Sequence, residues 1–529
     1  MNFRFLLKTN FRYLTHSMAK KSTFFKFNVR PWVFWPPFIL LILAVLSSIL
    51  FPTSFIDILR SFQQTILIIF SIGFSWVSFA MTLMAVAVFF SPLGNYRIGG
   101  KSATPRLTRI SWFAIVLCTT IAVGILFWGS AEPLSHFLFP PDFKDFEPNS
   151  DAAKSFALGA LYFHWGFTPY AIYAVPALVF ALMYYSGKNN FSLSIMLRPI
   201  LGTSPNRFWE TGLDMFSLFA LVTGMAAALG AGILSLSGGF LAFFPELNSV
   251  ILSALITLGI LVTFVISAST GIEKGIKNLS LFNLGFFFLI AILFVILGEK
   301  EKILASVLTG FSQYFMNFTD LSLQLSGAGN TWTFDWSTFN FAMWMAWAPM
   351  TALFLGKIAI GRTVREFLLV NWFFPALFCL IWMGIFGGTT LDFASINTQE
   401  YKDTFQNFGP ESIIYQVFED MGYFKVFAQL FILGIFISYV TAADSSTDAL
   451  ASISMKKQTG DPFRSDTNLK VIWGVLIGFL SWVMITYSGI DGVRILSVIG
   501  GFPALFFLLL VSVCLLMILL SPKKHLTNQ

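Results

Sequence analysis

Of 529 residues, 56% are hydrophobic and 11% charged, and the mean hydropathy is +0.76, whereas soluble proteins run at roughly half apolar and about a quarter charged. A water-soluble fold of this length cannot hide that much apolar surface, which excludes a soluble enzyme or a soluble binding module. The net charge of +7 calls for no nucleic-acid partner, because the distribution of basic residues between loops accounts for it as a topology signal.

Apolar runs of about 18 residues or more are long enough to cross a bilayer as a helix. Twelve are read, at 32–51, 65–90, 111–130, 157–184, 212–240, 248–268, 281–298, 339–359, 367–389, 424–446, 470–488 and 495–520. Ahead of them, residues 1–31 form a basic arm with seven Lys or Arg and no acid, which either rests on anionic lipid or only fixes topology. The first run is a full span without a small-residue cleavage pattern, so it is expected to stay attached. Residues 32–91 hold spans 1 and 2, which carry no charge. When successive loops alternate between sides, all but eight of the 33 lysines and arginines fall on the side of the N-terminus. Basic loops stay cytoplasmic, so the chain is expected in the plasma (inner) membrane as a multi-pass protein with both termini inside.

Span 3 carries Thr119-Thr120-Ile121-Ala122-Val123-Gly124 in its middle and runs on to Phe127-Trp128-Gly129-Ser130-Ala131-Glu132. Small and β-branched residues there suit close packing or local unwinding. Span 4 contains Phe163-His164-Trp165-Gly166-Phe167-Thr168-Pro169-Tyr170-Ala171-Ile172-Tyr173. Trp165 and Tyr173 are about 80° apart around a helix, and a distortion at Pro169 carries Tyr170 toward the same side. Three rings in mid-span then face one cavity instead of joining an interfacial belt. His164 is ionisable inside a span and reads either as a proton carrier or as a hydrogen-bonded packing residue. As the base of a membrane-embedded transferase it would need a second polar group at matching depth, and none is read.

Span 5 presents Thr223-Gly224-Met225-Ala226-Ala227-Ala228, a small-residue packing face, and Gly271–Ser280 follows span 6 as a cytoplasmic loop. Residues 299–318 are amphipathic and too polar to span, which predicts a surface helix. Span 8 is preceded by Asp335-Trp336-Ser337 and holds Trp344 and Trp347-Ala348-Pro349; Pro349 removes a backbone donor and frees carbonyls nearby. Gly361-Arg362-Thr363-Val364-Arg365-Glu366-Phe367 follows it. Span 10 closes with Ser438, Thr441, Ala442 and Asp444, and a short tail, 521–529, ends the chain. Cys118, Cys379 and Cys514 fall in spans with no metal or redox spacing.

The segments around Trp165, Asp335, Trp344, Trp347-Ala348-Pro349 and Gly361–Phe367 resemble the signature of the betaine/carnitine/choline transporter (BCCT) family, over about residues 85–520. The resemblance implies an all-α membrane protein of twelve transmembrane helices. In it a leucine-transporter-like (LeuT-like) 5+5 inverted repeat, 111–298 (spans 3–7) and 339–520 (spans 8–12), follows two extra helices, with the site at the repeat interface. It implies a secondary active transporter, not an enzyme, that takes up a quaternary ammonium compound (glycine betaine, choline or carnitine) by alternating access, and a homotrimer in the lipid bilayer. The alternative is a symporter of the same fold for another small solute, such as an amino acid or nucleobase.

A trimethylammonium group donates no hydrogen bond, and no Lys, Arg, Asp or Glu is read in the middle of spans 3, 4 or 8, so ring faces are left to attract it. The resemblance assigns Trp165, Tyr170, Tyr173 and Trp344 to an aromatic box, with Tyr170 where a tryptophan is usual, and Trp347 to the path inward. No cofactor and no structural or catalytic metal is implied. Sodium-driven members take ion ligands from span 10 hydroxyls, span 3 backbone and span 5 hydroxyls. The candidates for ion coupling here are Thr119, Thr120, Ser438, Thr441 and Asp444, while Ala227, Ala228 and Ala442 stand where relatives carry hydroxyls. The coupling ion is left between proton and sodium, with weak or absent sodium dependence expected, proton coupling ahead of exchange, and Asp444 and His164 as protonatable groups.

Overall fold

A bilayer offers no water to unpaired N–H and C=O groups, so a chain this apolar satisfies its backbone within helices. The computed structural model describes residues 29–526 apart from 122–123, 188–191, 203–206, 271 and 457–465. Among these residues it contains helices and two isolated β-bridges. The α-helices of eight residues or more are α1 Pro31–Leu50, α2 Pro52–Phe90, α3 Arg109–Ile121, α4 Gly124–Leu138, α5 Asp151–Trp165, α6 Phe167–Tyr185, α7 Arg207–Phe243, α8 Ser249–Thr270, α9 Ile272–Leu297, α10 Lys300–Leu323, α11 Phe339–Lys357, α12 Phe374–Ile396, α13 Thr398–Phe408, α14 Ile413–Asp420, α15 Phe424–Ser454 and α16 Thr467–Leu520.

Among the described residues, nine helical stretches are long and apolar enough to cross a membrane, or ten when α3 and α4 count as one bent span. Among the described residues the twelve apolar runs fall mostly in helix, but not as twelve separate rods. At 54 residues, α16 is about 80 Å long, more than two hydrocarbon thicknesses, and it turns at Gly489, where φ is +53°. It therefore holds both of the last two runs. The second run begins earlier than expected, at Pro52, because Asp57, Arg60, Gln63 and Gln64 interrupt the apolar pattern without interrupting the helix. The Gly271–Ser280 stretch is helical from Ile272 onward instead of a loop. Lys300–Leu323 forms the helix expected at 299–318, one turn longer.

The Gly361–Glu366 segment acts as a structural clasp. Gly361 has φ +77°, and a Cβ there would lie 2.3 Å from the Thr104 carbonyl carbon, so only glycine fits. Its N–H donates to the Ile98 carbonyl at 2.9 Å, and Ile98 donates back to Arg362 at 2.9 Å. The Arg362 guanidinium donates to the Leu107 carbonyl and lies 4.9 Å from the Trp112 ring centre. Thr363 and Glu366 close a capping box. Elsewhere, Arg30 pairs with the buried Asp214, which also accepts from the Ser192 hydroxyl and the Leu193 N–H. That pairing ties the start of α1 to α7.

The centre of the molecule is α11. Nearly every side chain along it is buried, as expected of a helix with no polar face, and it packs against α6, α7, α15 and α16. The lining of the site is built on this helix.

Candidate binding site

Three interrupted elements meet beside α11. Helices α3 and α4 lie at 52° to each other across residues 122–123. Helices α5 and α6 are separated at Gly166, where the backbone leaves helical geometry at φ −95°, ψ −137°. A π-turn, Thr333–Thr338, leads into α11; such turns recur at functional sites because they re-aim side chains.

Trp344 is the hub of the rings. Its ring centre lies 5.7 Å from that of Trp165, 5.2 Å from Tyr170 and 4.6 Å from Tyr173, within the range of favourable aromatic pairs. All four rings are buried. A cavity of about 90 Å³ opens against Trp165, Tyr173, Trp344 and Trp347, with Thr119, Thr120 and Gly124 on the α3–α4 side, several times the room that one water needs. Tyr170 stands behind Trp344 instead of in the cavity wall: the sequence brought it to the right cluster, and packing set it one layer back. Trp347 does line the cavity and is fixed by its indole N–H, which donates to the Gly224 carbonyl at 3.0 Å.

Gly124 explains how Trp165 reaches its place. A Cβ on Gly124 would come within 2.6 Å of the outer edge of the Trp165 ring. Gly124→Ala is therefore expected to push the ring across the cavity and raise the apparent KM for uptake by tenfold or more, about 1.4 kcal/mol, with membrane level unchanged. Concentration-dependent uptake beside an immunoblot checks it.

The hydroxyls expected to bind an ion are mostly engaged. Ser438 accepts from the Asn283 amide at 3.0 Å, Thr441 donates to the Ile437 carbonyl at 2.8 Å, and Thr120 donates to the Val116 carbonyl at 2.9 Å. The Thr119 hydroxyl is buried with no hydrogen-bond partner. Ala228 and Ala442 line the cavity, and Ala227 is buried nearby. The side chain of Asp444 lies outside the described residues, as do residues 1–28 of the basic arm.

One residue was missed. Glu132 falls just past the expected end of span 3, yet α4 runs on to Leu138 and every side chain from Ile125 to Leu138 is buried. The reading of span 3 as free of carboxylates near the site is thereby corrected. Glu132 accepts from the Trp165 indole N–H at 2.8 Å and meets His164 Nδ1 at 2.5 Å, with His136 Nε2 at 3.4 Å. His164 Nε2 lies 2.9 Å from the Ser337 hydroxyl, and the Trp332 indole N–H donates to His136 Nδ1 at 3.1 Å. His164 thus has a carboxylate on one ring nitrogen and a hydroxyl on the other. The signal was present: Glu132 and His136 are spaced i, i+4, one face of a helix, inside an otherwise apolar run.

Ser337, His164 and Glu132 are connected as in a nucleophilic triad, which supplies the polar partner that a transferase reading lacked. None of the three lines this cavity, and Ser337 is buried. The arrangement braces Trp165 and joins α4, α5 and the π-turn before α11.

The profile of the BCCT, betaine/carnitine/choline family transporter, matches residues 32–524. An ectoine/hydroxyectoine transporter of Virgibacillus pantothenticus is 30% identical over 449 residues, covering 83% of this chain and 87% of its own. A glycine betaine/proline/choline/ectoine transporter of Vibrio parahaemolyticus is 30% identical over 491 residues, 90% of this chain and 84% of its own. The high-affinity choline transport protein of Escherichia coli is 28% identical over 510 residues, 94% of this chain and 72% of its own.

Proposed function

The chain belongs to the betaine/carnitine/choline transporter family, and from that premise we propose that it is a secondary active transporter that takes up a quaternary ammonium compound through a box of Trp165, Tyr173 and Trp344, with Tyr170 packed behind Trp344. The observation that carries the reading is the cluster of three rings around Trp344 beside an almost wholly apolar cavity. A trimethylammonium head has no hydrogen to donate. Ring faces attract it without the cost of burying a carboxylate in contact with it.

The placement of the interrupted helices supports alternating access. Thr119, Thr120 and Gly124, from the two sides of the break between α3 and α4, line the cavity, and the π-turn leads into the helix that carries Trp344 and Trp347 on its wall. Rocking the segments on one side against the other exposes the box to each face of the membrane in turn. The excess of basic residues in the loops on the side of the N-terminus supports both termini lying in the cytoplasm.

A second reading of the cargo is favoured by one comparison: the relative from Virgibacillus is an ectoine/hydroxyectoine transporter. Ectoine carries its positive charge on a ring amidinium, whose flat face also stacks on tryptophan. Uptake of radiolabelled glycine betaine, choline, carnitine and ectoine by cells lacking other uptake systems separates these. Saturable uptake of one of the first three, not competed by proline or uracil, is expected. Saturable uptake of proline or uracil in their place would overturn the reading.

A homotrimer completes the proposal. Leu304, Leu308 and Phe315 on α10 are 59%, 60% and 65% exposed, an apolar face suited to another protomer or to lipid. Mass measurement in nanodiscs is expected to give three chains; a monomer in native-like lipid counts against it.

A further inference from the structure

We infer that Glu132 is the counter-charge of the aromatic box, acting on a bound cation through Trp165 without touching it. The inference rests on reading the box as a cation site, and it concerns a residue outside the cavity wall.

The hydrogen-bond pattern around Glu132 is that of a carboxylate. An ionised carboxyl only accepts, and Glu132 meets three nitrogens that can donate: Trp165 Nε1, His164 Nδ1 and His136 Nε2. The His136 tautomer follows from its other side. Trp332 donates its indole N–H to His136 Nδ1, and because an indole N–H is a donor only, Nδ1 holds a lone pair and the ring proton sits on Nε2, toward Glu132. His164 Nδ1 faces Glu132 while its Nε2 meets the Ser337 hydroxyl, which serves equally as donor or acceptor.

That carboxylate is one indole width from the box. Trp165 presents its ring to the cavity and its N–H to Glu132. A negative charge accepting from the indole N–H pushes electron density into the ring, and hydrogen bonds in a low-dielectric interior polarise their partners in this way. The ring face that meets the cation becomes more negative, and the direct Coulomb attraction adds to it, since screening inside the protein is weak. A direct carboxylate contact would also bind primary ammonium groups, which donate hydrogen bonds. Held behind an indole, the charge favours cations without favouring donors.

Other charges do not duplicate this one. Arg494 of α16 lies 5.2 Å from the Trp336 ring centre, and that ring is 4.5 Å from His136. On the packed helices Lys154 pairs with Asp392 at 2.6 Å and Lys144 with Asp320 at 2.8 Å. Among the described residues, no Asp, Glu, Lys or Arg lines the cavity.

The test compares choline with 3,3-dimethylbutan-1-ol, its neutral carbon isostere, in binding to the purified full chain in nanodiscs at pH 8, above the ordinary imidazole range of about 6.5. Glu132→Gln removes the charge and keeps two of the three bonds: the amide oxygen accepts from Trp165, the amide nitrogen donates to His164 Nδ1, and the other imidazole nitrogen donates to Ser337, while His136 Nε2, the longest contact at 3.4 Å, loses its acceptor. Choline affinity is expected to fall at least tenfold while the isostere changes less than twofold. Glu132→Asp, which keeps the charge, is expected to retain most of the preference and serves as the second variant should Glu132→Gln fail to fold. Equal losses for both ligands would mark Glu132 as merely structural, and unchanged choline affinity in Glu132→Gln, or no choline preference in the wild type, would overturn the inference as well. A wild type that binds neither ligand would overturn the box itself, an outcome distinct from intact discrimination that ignores Glu132.

Discussion

Trp344→Ala is expected to abolish high-affinity uptake while the protein stays in the membrane at normal levels. Trp344 contacts each of the other three rings, with centres 4.6 to 5.7 Å away, so its loss removes one cation-attracting face and the support of three more. A desolvated cation–π contact contributes about 2 kcal/mol or more, roughly thirtyfold in affinity. Truncating a buried Trp also costs about 3–5 kcal/mol of fold stability, so membrane level and thermal midpoint must be read alongside uptake. Trp344→Phe separates the two effects because it keeps a ring and most of the volume. Trp165→Ala is expected to match Trp344→Ala in uptake, since it removes a ring of the cavity wall together with its bond to Glu132. Tyr170→Ala is expected to be milder, because that ring backs Trp344 and does not line the cavity. Unchanged apparent affinity for choline or betaine in both tryptophan variants would remove the box from the site.

The rings were legible in the sequence because three of them lie on one chain segment, where helical spacing fixes their relative directions. Trp344 was legible through the resemblance carried by its neighbours, and the clasp at Gly361–Glu366 shows why that motif has its residues: a positive φ, a capping box and two arginines that grip the carbonyls of Leu107 in a loop and Phe89 at the end of α2. The layer order was not legible. Whether Tyr170 faces the cavity or backs Trp344 depends on how α6 packs on α11, which no local pattern encodes. Glu132 was hidden for a related reason. Hydropathy reading ends a span at the first acid, yet this acid is kept inside by donors from His164, 32 residues away, and from Trp165. Interior charge is paid for by long-range partners, and these appear only once the chain is folded. The length of α2 and the unbroken run of α16 failed to show for the opposite reason, since helices continue through polar residues and kinks that a composition window treats as ends.

Uptake is expected to depend weakly or not at all on sodium, and to respond to an imposed proton gradient. A hard cation takes several oxygen ligands in place of its hydration shell, and the oxygens that relatives use are depleted or engaged here. Ala227, Ala228 and Ala442 carry none in their side chains. Ser438 is bound to Asn283, Thr441 to the carbonyl one turn back, and Thr120 to Val116. Each of these bonds must be exchanged before the hydroxyl turns to an ion, at a cost of about 0.5–1.5 kcal/mol apiece. Thr119 alone among the four described candidates has its hydroxyl without a partner, and one hydroxyl does not make a coordination shell. By contrast, proton carriage needs no cage, only an ionisable group with two arrangements. His164 has them, because Ser337 on its outer nitrogen either donates or accepts. Proteoliposomes with separately imposed sodium and pH gradients decide the matter: accumulation is expected with the pH gradient and not with sodium alone. Saturable, sodium-only accumulation would show that backbone oxygens beside Thr119 suffice, and that the alanines do not disable the ion site.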